Sequence, residues 1–203
     1  VTNVNDAPTI SLTAPAALTE NMAAGTVVST VTTGDVDTGD TRVTQIIEGN
    51  DDGLFTIDGT GQIVTTRVLD DAEVGTRNLV VSTTDAGGLT ASATVTVTIA
   101  NVNDAPVATS GTLALTATED DAFVFTLPAG TFSDADGNAL SYALVGAPSW
   151  MSIDPATGVI SGTPGNGDVT TAAVNFTVTA SDGIAPAVSK SFTVAVTNVN
   201  DAP

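Results

Sequence analysis

The sequence predicts an all-β protein of two tandem β-sandwich domains stacked end to end. The first observation behind this is a repeat, NVNDAP, which begins at Asn3, Asn101 and Asn198, 98 and 97 residues apart. Each interval has about the size of one small domain, so we expect domains at residues 1–105 and 106–203. The second is a composition rich in Thr and Val, with 19 Gly and 9 Pro, which favours strands joined by turns over helices.

The third observation is a series of short alternating stretches separated by Gly, Asp, Asn and Pro, which predicts seven strands in each repeat. In the first repeat the predicted strands are 9–12, 26–32, 42–47, 54–57, 62–66, 78–83 and 90–99. In the second repeat they are 112–116, 123–127, 140–144, 151–153, 159–161, 173–180 and 188–197. Alternation is clearest from Ala93 to Ile99, where every second residue is apolar. Seven short strands in about 100 residues favour an immunoglobulin-like Greek-key sandwich.

The copies of NVNDAP are also the predicted links between repeats. The final Pro disfavours the helical conformation at Ala7 and Ala105, so each link should be extended rather than a flexible tether. Because the chain starts and stops inside copies of the motif, we expect it to be a piece of a longer array.

The charge balance excludes several classes of function. There are 23 acidic residues against Arg42, Arg67, Arg77 and Lys190, a formal net charge of −19. This balance opposes nucleic acid and anionic membrane surfaces as partners and favours cations. The sequence has no His and no Cys, so neither a Ser-His-Asp nor a Cys-His arrangement can form, and we expect no enzyme. No apolar run is long enough to span a membrane.

Acidic motifs follow the predicted strands of the first repeat in a fixed order. They are Leu18-Thr19-Glu20-Asn21, Asp35-Val36-Asp37, Phe55-Thr56-Ile57-Asp58, Leu69-Asp70-Asp71-Ala72-Glu73 and Asp85. Together they resemble the cadherin repeat, with its patterns xEx, DxD, F-x-I-D-x-x-x-G, L-D-x-E and A-x-D before an asparagine-rich linker. The resemblance covers residues 3–106. Since Ala72 stands where L-D-x-E requires Glu, either Asp71 pairs with Glu73 or Asp70 takes the Asp role; we prefer Asp71.

The second repeat resembles a more divergent family. Its motifs are Phe132-Ser133-Asp134-Ala135-Asp136-Gly137, Leu140-Ser141-Tyr142, Pro148-Ser149-Trp150-Met151, Ile153-Asp154, Thr157-Gly158-Val159, Gly162-Thr163-Pro164 and Ala180-Ser181-Asp182-Gly183. They are similar to the dystroglycan-type cadherin-like domain over residues 107–203. Such units with NVNDAP junctions are similar to the arrays of giant bacterial surface adhesins of the RTX class, exported by type I secretion. The resemblance implies an extracellular position on a bacterial cell surface.

In the cadherin family, calcium binds at the junction between repeats. Carried over to this sequence, the resemblance implies a central Ca²⁺ site made of Glu20, Asp71 and Glu73, of Asn101, Asn103 and Asp104 in the linker, and of Asp134, Asp136 and Asp182. Ca²⁺ takes about six to eight oxygen ligands from carboxylates, amides and carbonyls, which these residue types supply. Asn101 replaces an acid of the family pattern and removes one charge. Without a cation the remaining carboxylates would repel one another.

The two outer copies of NVNDAP predict half-sites. At the first, Asn3, Asn5 and Asp6 would join Asp35, Asp37 and Asp85. At the last, Asn198, Asn200 and Asp201 would join Glu119, with Asp120 as an additional candidate. No D-x-E pair is expected in the second repeat, because Gly162-Thr163-Pro164 replaces that region. We therefore expect the last junction to hold fewer ions than the central one, or none.

Other interpretations of these residues are less favoured. The series Asp134-x-Asp136-x-Asn138 imitates an EF-hand loop, but the twelfth position, which requires Glu, is Val145. Segments 50–53 and 165–168 are predicted to be ordinary turns. Trp150 and Tyr142 are predicted to fill the core rather than to stack on a sugar.

Two functions fit the sequence. The favoured one is a calcium-rigidified extender segment of a bacterial surface adhesin, a monomer whose partners are the neighbouring repeats of its own chain. The alternative is an adhesive module that binds polysaccharide or a like domain on another cell. We favour the extender because the sequence displays no exposed aromatic or polar patch away from the junctions.

Overall fold

The computed structural model describes residues 4–200 and divides the chain into two units, Val1–Val102 and Asn103–Pro203. Each unit is a β-sandwich, which confirms the predicted fold class. Asn3 and Asp201, two of the predicted calcium ligands, lie outside the described residues. Within the described range, no helix has the length and apolar character needed to cross a membrane.

Unit 1 folds into two four-stranded sheets in its described part. The strands are β1 (Thr9–Leu12), β2 (Leu18–Thr19), β3 (Val27–Gly34), β4 (Arg42–Glu48), β5 (Phe55–Ile57), β6 (Gln62–Thr65), β7 (Gly75–Asp85) and β8 (Thr90–Ala100). One sheet has the order β1-β3-β6-β5 and the other β2-β8-β7-β4. Strand β2 pairs with β8 in parallel, so the chain changes sheets between β1 and β2. The sequence did not predict β2, because two residues are too few to show alternation.

Unit 2 repeats this topology with a shorter first strand. Its strands are β9 (Val107–Ala108), β10 (Leu113–Thr118), β11 (Phe123–Thr126), β12 (Phe132–Ser133), β13 (Ser141–Val145), β14 (Met151–Ile153), β15 (Val159–Gly162), β16 (Val174–Ser181) and β17 (Val188–Thr197). One sheet has the order β10-β17-β16-β13, with β10 parallel to β17. The other side has β11-β15-β14 and a separate β9-β12 pair. Strands β9 and β12 were not predicted, since each has only two residues.

The two cores differ in chemistry. The alternation predicted for β8 is confirmed, because Val95, Val97 and Ile99 are buried while the threonines between them are exposed. Unit 2 instead has an aromatic core, in which Trp150 meets Phe123 edge-on with ring centroids 5.6 Å apart. Tyr142 packs on Phe132 at 5.8 Å. Trp150 and Tyr142 are partly buried and pack against the core, as predicted.

The Asp of each Ile-Asp motif has a structural role. Asp58 Oδ1 accepts hydrogen bonds from the backbone N–H groups of Thr60 at 2.8 Å and Gln62 at 2.9 Å. Asp154 Oδ1 accepts in the same way from Ala156 and Thr157. Each carboxylate therefore fixes a tight turn between two strands, and these hydrogen bonds lower the pKa of both groups.

Lys190 is a buried cation in unit 2. Its Nζ donates to the carbonyl oxygens of Thr109, Ser110 and Gly111 and to the Thr109 hydroxyl, at 2.8 to 3.2 Å. The side chain is 5% exposed. Lys190 therefore ties β17 to the segment in which the chain passes from β9 to β10.

Candidate cation-binding ends of the two units

Acidic residues collect at two ends of each unit. The leading end is where the linker asparagine meets the acidic loop that follows β3 in unit 1 and β12 in unit 2. The trailing end is where the last strand finishes beside a buried glutamate, Glu20 or Glu119. In unit 1 the two ends are separated by the 11 residues of β8, a length of roughly 33 Å.

At the leading end of unit 1, hydrogen bonds join the linker to the predicted acids. Asn5 Nδ2 donates to Asp85 Oδ2 at 3.0 Å. The Asp6 backbone N–H donates to Asp37 Oδ2 at 2.8 Å, and the Asp37 N–H donates to Asp35 Oδ1 at 2.9 Å. The five residues Asn5, Asp6, Asp35, Asp37 and Asp85 are thus brought together.

Asp85 is the most buried acid of this end, at 6% exposure. Burial raises the pKa of Asp85, but hydrogen bonds from the Asn5 amide and from the backbone N–H of Leu89 outweigh burial. The pKa of Asp85 therefore lies below its ordinary value, and the residue is a charged carboxylate at neutral pH.

The leading end of unit 2 has the same contacts with different residues. Asn103 Nδ2 donates to Asp182 Oδ2 at 2.7 Å, and the Asp104 N–H donates to Asp136 Oδ2 at 2.7 Å. The Asn103 hydrogen bond is the main cause that lowers the pKa of Asp182. Asp134 Oδ2 and Asp136 Oδ1 are buried and lack a hydrogen-bond partner within residues 4–200. Five of the nine residues predicted for the central site thus lie together in unit 2.

Sequence reasoning missed one oxygen-bearing residue at each leading end. In unit 1, one carboxylate oxygen each of Asp35, Asp40 and Asp85 lie within 4.8 Å of one another. In unit 2, Asn138 lies in the corresponding loop, where its Nδ2 donates to Asn103 Oδ1 at 2.8 Å. An oxygen-bearing side chain four or five residues after the first Asp was the available signal.

The trailing end of unit 1 is centred on Glu20, which is 2% exposed. Its backbone N–H donates to the carbonyl of Ala100 at 3.0 Å, and its Oε1 accepts from the N–H of Val102. Its Oε2 is buried and has no hydrogen-bond partner in the described chain. The next residue, Asn21, has φ +65°, and its backbone N–H donates to the carbonyl of Leu69.

A 3-10 turn, Asp71–Glu73, completes this end. Asp70 caps it, because Asp70 Oδ1 accepts from the N–H of Ala72 at 3.0 Å and Glu73 Oε2 accepts from the N–H of Asp70 at 2.9 Å. The Asp70 carboxylate is therefore engaged in the cap. These contacts favour Asp71 over Asp70 as the ligand that the L-D-x-E pattern requires.

Glu73 is also bound by a cation of the protein itself. Arg67 Nη2 donates to Glu73 Oε1 at 2.8 Å, and Arg67 Nε donates to the same oxygen at 3.3 Å. The pKa of Glu73 is lowered, first by the backbone N–H of Asp70 and then by Arg67. Sequence reasoning missed Arg67, since nothing in the cadherin pattern marks that position.

The trailing end of unit 2 reproduces that of unit 1. The backbone N–H of Glu119 donates to the carbonyl of Thr197 at 3.1 Å, and Glu119 Oε1 accepts from the N–H of Val199 at 2.6 Å. Glu119 is 2% exposed, and its buried Oε2 has no hydrogen-bond partner within the described range. Asp120 has φ +60°, and its backbone N–H donates to the carbonyl of Pro164, as the backbone N–H of Asn21 donates to that of Leu69.

The prediction that unit 2 lacks a counterpart of the D-x-E pair is wrong. The second 3-10 turn, Asn166–Asp168, follows Pro164 as Asp71–Glu73 follows Leu69. Asp168 Oδ2 accepts from the N–H of Gly165 at 2.9 Å, the contact that Glu73 makes with Asp70. Sequence reasoning missed the match because the Leu-Asp landmark is replaced by Pro-Gly. Segment 165–168 is a turn, as predicted, but one that carries Asn166 and Asp168 at the positions of Asp71 and Glu73.

The other predicted turn, segment 50–53, does not correspond to the Asp71–Glu73 turn. The N–H of Gly53 donates to the carbonyl of Asn50 at 3.0 Å, which confirms the turn. Asp52 in this turn pairs with Arg77 at 2.7 Å.

The remaining linker asparagines are exposed. Asn101 lies at the end of unit 1, and Asn198 and Asn200 follow β17. Asn198 Nδ2 donates to the carbonyl of Val199 at 2.9 Å. These residues are exposed as a whole, in contrast to Glu20 and Glu119, which are each 2% exposed.

Comparison with known families agrees with this architecture. Residues 14–100 match the family described as the cadherin domain, and residues 105–197 match the family described as a putative Ig domain. The chain thus combines one domain that is similar to the cadherin family with a second that is similar to a putative Ig family. Neither family is a family of enzymes, which confirms that expectation.

Two curated proteins show the same cadherin-like relationship. The protocadherin-like wing polarity protein stan of Drosophila melanogaster is 34% identical over 198 residues, covering 90% of this chain and 6% of that protein. Protocadherin Fat 4 of Mus musculus is 31% identical over 175 residues, covering 78% of this chain and 3% of that protein. The chain thus spans only a small part of each relative.

Solved structures show the same fold. The extracellular cadherin domains 1–5 of protocadherin gamma B2 match with a TM-score of 0.73 at 21% identity, over 98% of this chain and 42% of that one. Mouse cadherin-23 EC22–24 matches with a TM-score of 0.66 at 23% identity, over 95% of this chain and 65% of that one. At these identities the matches establish the sandwich fold alone.

The residues of the cadherin-like ends fit calcium, which cadherin domains bind at their linkers. The side chains gathered there offer carboxylate and amide oxygens and no sulfur or imidazole, the ligand set of a hard cation. The buried Oε2 atoms of Glu20 and Glu119 are the most direct indication. A buried charged oxygen without a partner is costly, and a bound cation would relieve that cost.

Proposed function

We propose that this chain is a calcium-binding extender segment of a bacterial cell-surface adhesin. Calcium at the junctions holds successive repeats in line, and the neighbouring repeats of the same chain are its partners. The proposal is supported above all by Glu20, a carboxylate that is 2% exposed and has one oxygen bonded to the linker backbone and the other without a hydrogen-bond partner in the described residues.

Glu20 supports a cation site because of the cost of its position. A carboxylate moved out of water needs hydrogen bonds or a counter-charge. Without them, its desolvation penalty is large compared with the net free energy of folding. No Lys or Arg pairs with Glu20 among the described residues. Glu119 has the same arrangement in unit 2, so the unpartnered oxygen is a repeated feature and not a peculiarity of Glu20.

The proposed ligands follow the order of the motifs. The trailing end of unit 1 would supply Glu20, Asp71 and Glu73, the linker Asn101, Asn103 and Asp104, and unit 2 Asp134, Asp136 and Asp182. The outer ends would supply the two half-sites. The leading one includes Asp40 besides Asn5, Asp6, Asp35, Asp37 and Asp85, and the trailing one includes Asn166 and Asp168 besides Glu119, Asn198 and Asn200.

Calcium would supply charge neutralisation here. The chain carries a net charge of −19, and its acids are concentrated at the ends of the units, where they repel one another. A ligand that binds only the folded state stabilises it, by about 2.7 kcal/mol when free calcium is 100 times its dissociation constant. The stiffness of the junction would therefore depend on the calcium concentration.

The first test is calcium titration calorimetry of the full chain and of its Glu20→Gln variant. We expect heat of binding from the wild-type chain and a much weaker response from the variant, which keeps the shape of the side chain but not its charge. Spin labels on the two units should give a narrower distance distribution with calcium than with chelator. A wild-type chain that binds no calcium, or distance distributions unchanged by calcium, would rule the proposal out.

A further inference from the structure

The trailing end of unit 1 contains a basic residue, Arg67, that binds one of the proposed calcium ligands, Glu73. Arg67 Nη2 and Nε both donate to Glu73 Oε1, at 2.8 and 3.3 Å. Glu73 Oε2 accepts from the N–H of Asp70 at 2.9 Å. A carboxylate has about four lone pairs, so these donors leave roughly one for any other partner.

Arg67 is held in this position by the rest of unit 1. Its Nη1 donates to the carbonyl of Asp52 at 3.3 Å, and its Nη2 lies 3.6 Å from the Asp52 carboxylate. Asp52 is in turn fixed by Arg77, whose Nη1 donates to Asp52 Oδ2 at 2.7 Å. The turn that carries Asp52 is closed by Asn50, which pairs with the backbone N–H and carbonyl of Phe55. Arg67 therefore contacts both Glu73 and the turn that carries Asp52, although 44% of its side chain is exposed.

We propose that Arg67 is a built-in counter-cation, which keeps the Glu73 turn in place before calcium binds and limits the calcium affinity of this end. The inference rests on the proposed function, because it concerns the same carboxylates. Any calcium ion that Glu73 binds must share the carboxylate with a guanidinium that never deprotonates. Arg67 therefore lowers the calcium affinity of this end while it holds the Glu73 turn in its binding conformation.

Unit 2 is a natural comparison, because its trailing end has no such cation. The only Lys or Arg in residues 103–203 is Lys190, and its Nζ is bound to residues 109–111. There Asp168 has the capping contact with Gly165 but no arginine partner among the described residues. The N-x-D turn needs less compensation, since Asn166 is neutral where Asp71 is charged.

The test is the calcium affinity of the full chain carrying Arg67→Met, with Arg77→Met as the matched control. Met keeps the apolar stem of the side chain and removes its charge and donors. Arg77 contacts the same Asp52 but not Glu73, so its loss should leave calcium affinity close to that of the wild-type chain. We expect Arg67→Met to bind calcium about threefold more tightly, because one positive charge near a divalent ion is removed but solvent screens the exposed guanidinium.

The second readout is thermal unfolding in chelator, which involves no bound calcium. There Arg67→Met should lower the melting temperature of unit 1 below that of the wild-type chain, because the buried Glu73 carboxylate loses its cationic partner. Arg67→Lys, which retains the charge, should return calcium affinity most of the way to the wild-type value.

The outcomes separate this inference from the proposed function. If the wild-type chain binds no calcium, both are overturned. If it binds calcium but Arg67→Met binds no more tightly than Arg77→Met, the role of Arg67 is overturned and the calcium site stands. Tighter binding together with lower stability in chelator supports the inference.

Discussion

The trailing ends of the two units form the same arrangement from different residues. In both, a buried glutamate accepts a hydrogen bond from the backbone that follows the last strand, and the residue after the glutamate has a positive φ. A 3-10 turn lies at the same end. At the proposed ligand positions of the end itself, unit 1 has three carboxylates and unit 2 has two, because Asn166 stands where unit 1 has Asp71. With Arg67 included, both sets carry a net charge of −2.

This difference teaches that the backbone, rather than the motif letters, defines the end. The turn of unit 2 is positioned by the bond from Asp120 to the Pro164 carbonyl and by the Asp168 cap. Neither contact requires the Leu-Asp landmark by which the motif is recognised. The number of charges can then vary between repeats while the geometry stays the same, and calcium affinity depends on charge count.

Removal of the buried glutamate charge should have the largest effect. We expect Glu20→Gln to weaken calcium binding about 100-fold or more, because a buried charge paired with a cation is worth several kcal/mol. In chelator the same change should stabilise the fold by about 1 kcal/mol or more, because it removes an unpaired buried charge. Calorimetry with calcium and thermal unfolding with chelator check the two signs.

Glu119→Gln is the matched variant in unit 2. It should have the same two signs, with a smaller calcium effect, because fewer carboxylates share that end. If Glu20→Gln were destabilising in chelator, the buried oxygen would have a partner in the protein, and the argument for a cation would fail.

Exchange of the charges at the 3-10 turns should have the next largest effect. Asp71→Asn gives unit 1 the N-x-D type of turn, and Asn166→Asp gives unit 2 the charge it lacks. We expect calcium affinity to fall about tenfold in the first and to rise by a smaller factor in the second, because Asn166 is exposed and solvent screens a charge at that position. Opposite changes measured by calorimetry would support equivalent positions, and no response to Asn166→Asp would show that Asn166 is not at a ligand position.

How far the sequence predicts this molecule depends on the length of the signal. Strands such as β8 and β17 were predicted almost to the residue because alternation over ten positions is unambiguous. Strands β2, β9 and β12 have two residues each and depend on partners distant in sequence, which no local pattern reports. The residues of the leading ends were predicted for a different reason, since DxD and the linker asparagines are short motifs whose residue types are specific.

The missed site residues have a common physical cause. Arg67, Asn166 and Asp168 acquire their roles from hydrogen bonds to backbone groups and from the chain path, not from a fixed spacing to another acid. Asp40 was missed because a one-residue insertion moves it out of register with Asn138. Patterns of residue types therefore predicted which kinds of ligand the ends contain, while the full set of residues at each end could be identified only from the fold.

An exchange at the leading ends should have a smaller effect. Asp40→Asn makes unit 1 resemble unit 2, and Asn138→Asp does the reverse. Both side chains are only partly buried, so solvent screens their charge, and we expect changes in calcium affinity of about threefold, down for Asp40→Asn and up for Asn138→Asp. Calorimetry against Asp51→Asn, an exposed acid in the 50–53 turn, provides the control. A change as large as that of Asp71→Asn would contradict the ranking.

The smallest expected effect is the pH dependence of the leading ends without calcium. The pKa values of Asp182 and Asp85 are both lowered in the fold, so each ionised carboxylate stabilises its unit above about pH 4 and loses that contribution as pH falls through its folded pKa. The melting temperatures of the wild-type chain and Asp182→Asn should therefore differ most at neutral pH and converge in acid. For Asp85→Asn the convergence should be weaker, because burial raises the Asp85 pKa and opposes its hydrogen bonds. A gap that widens in acid would mean that the Asn103 and Asn5 hydrogen bonds do not favour the ionised form.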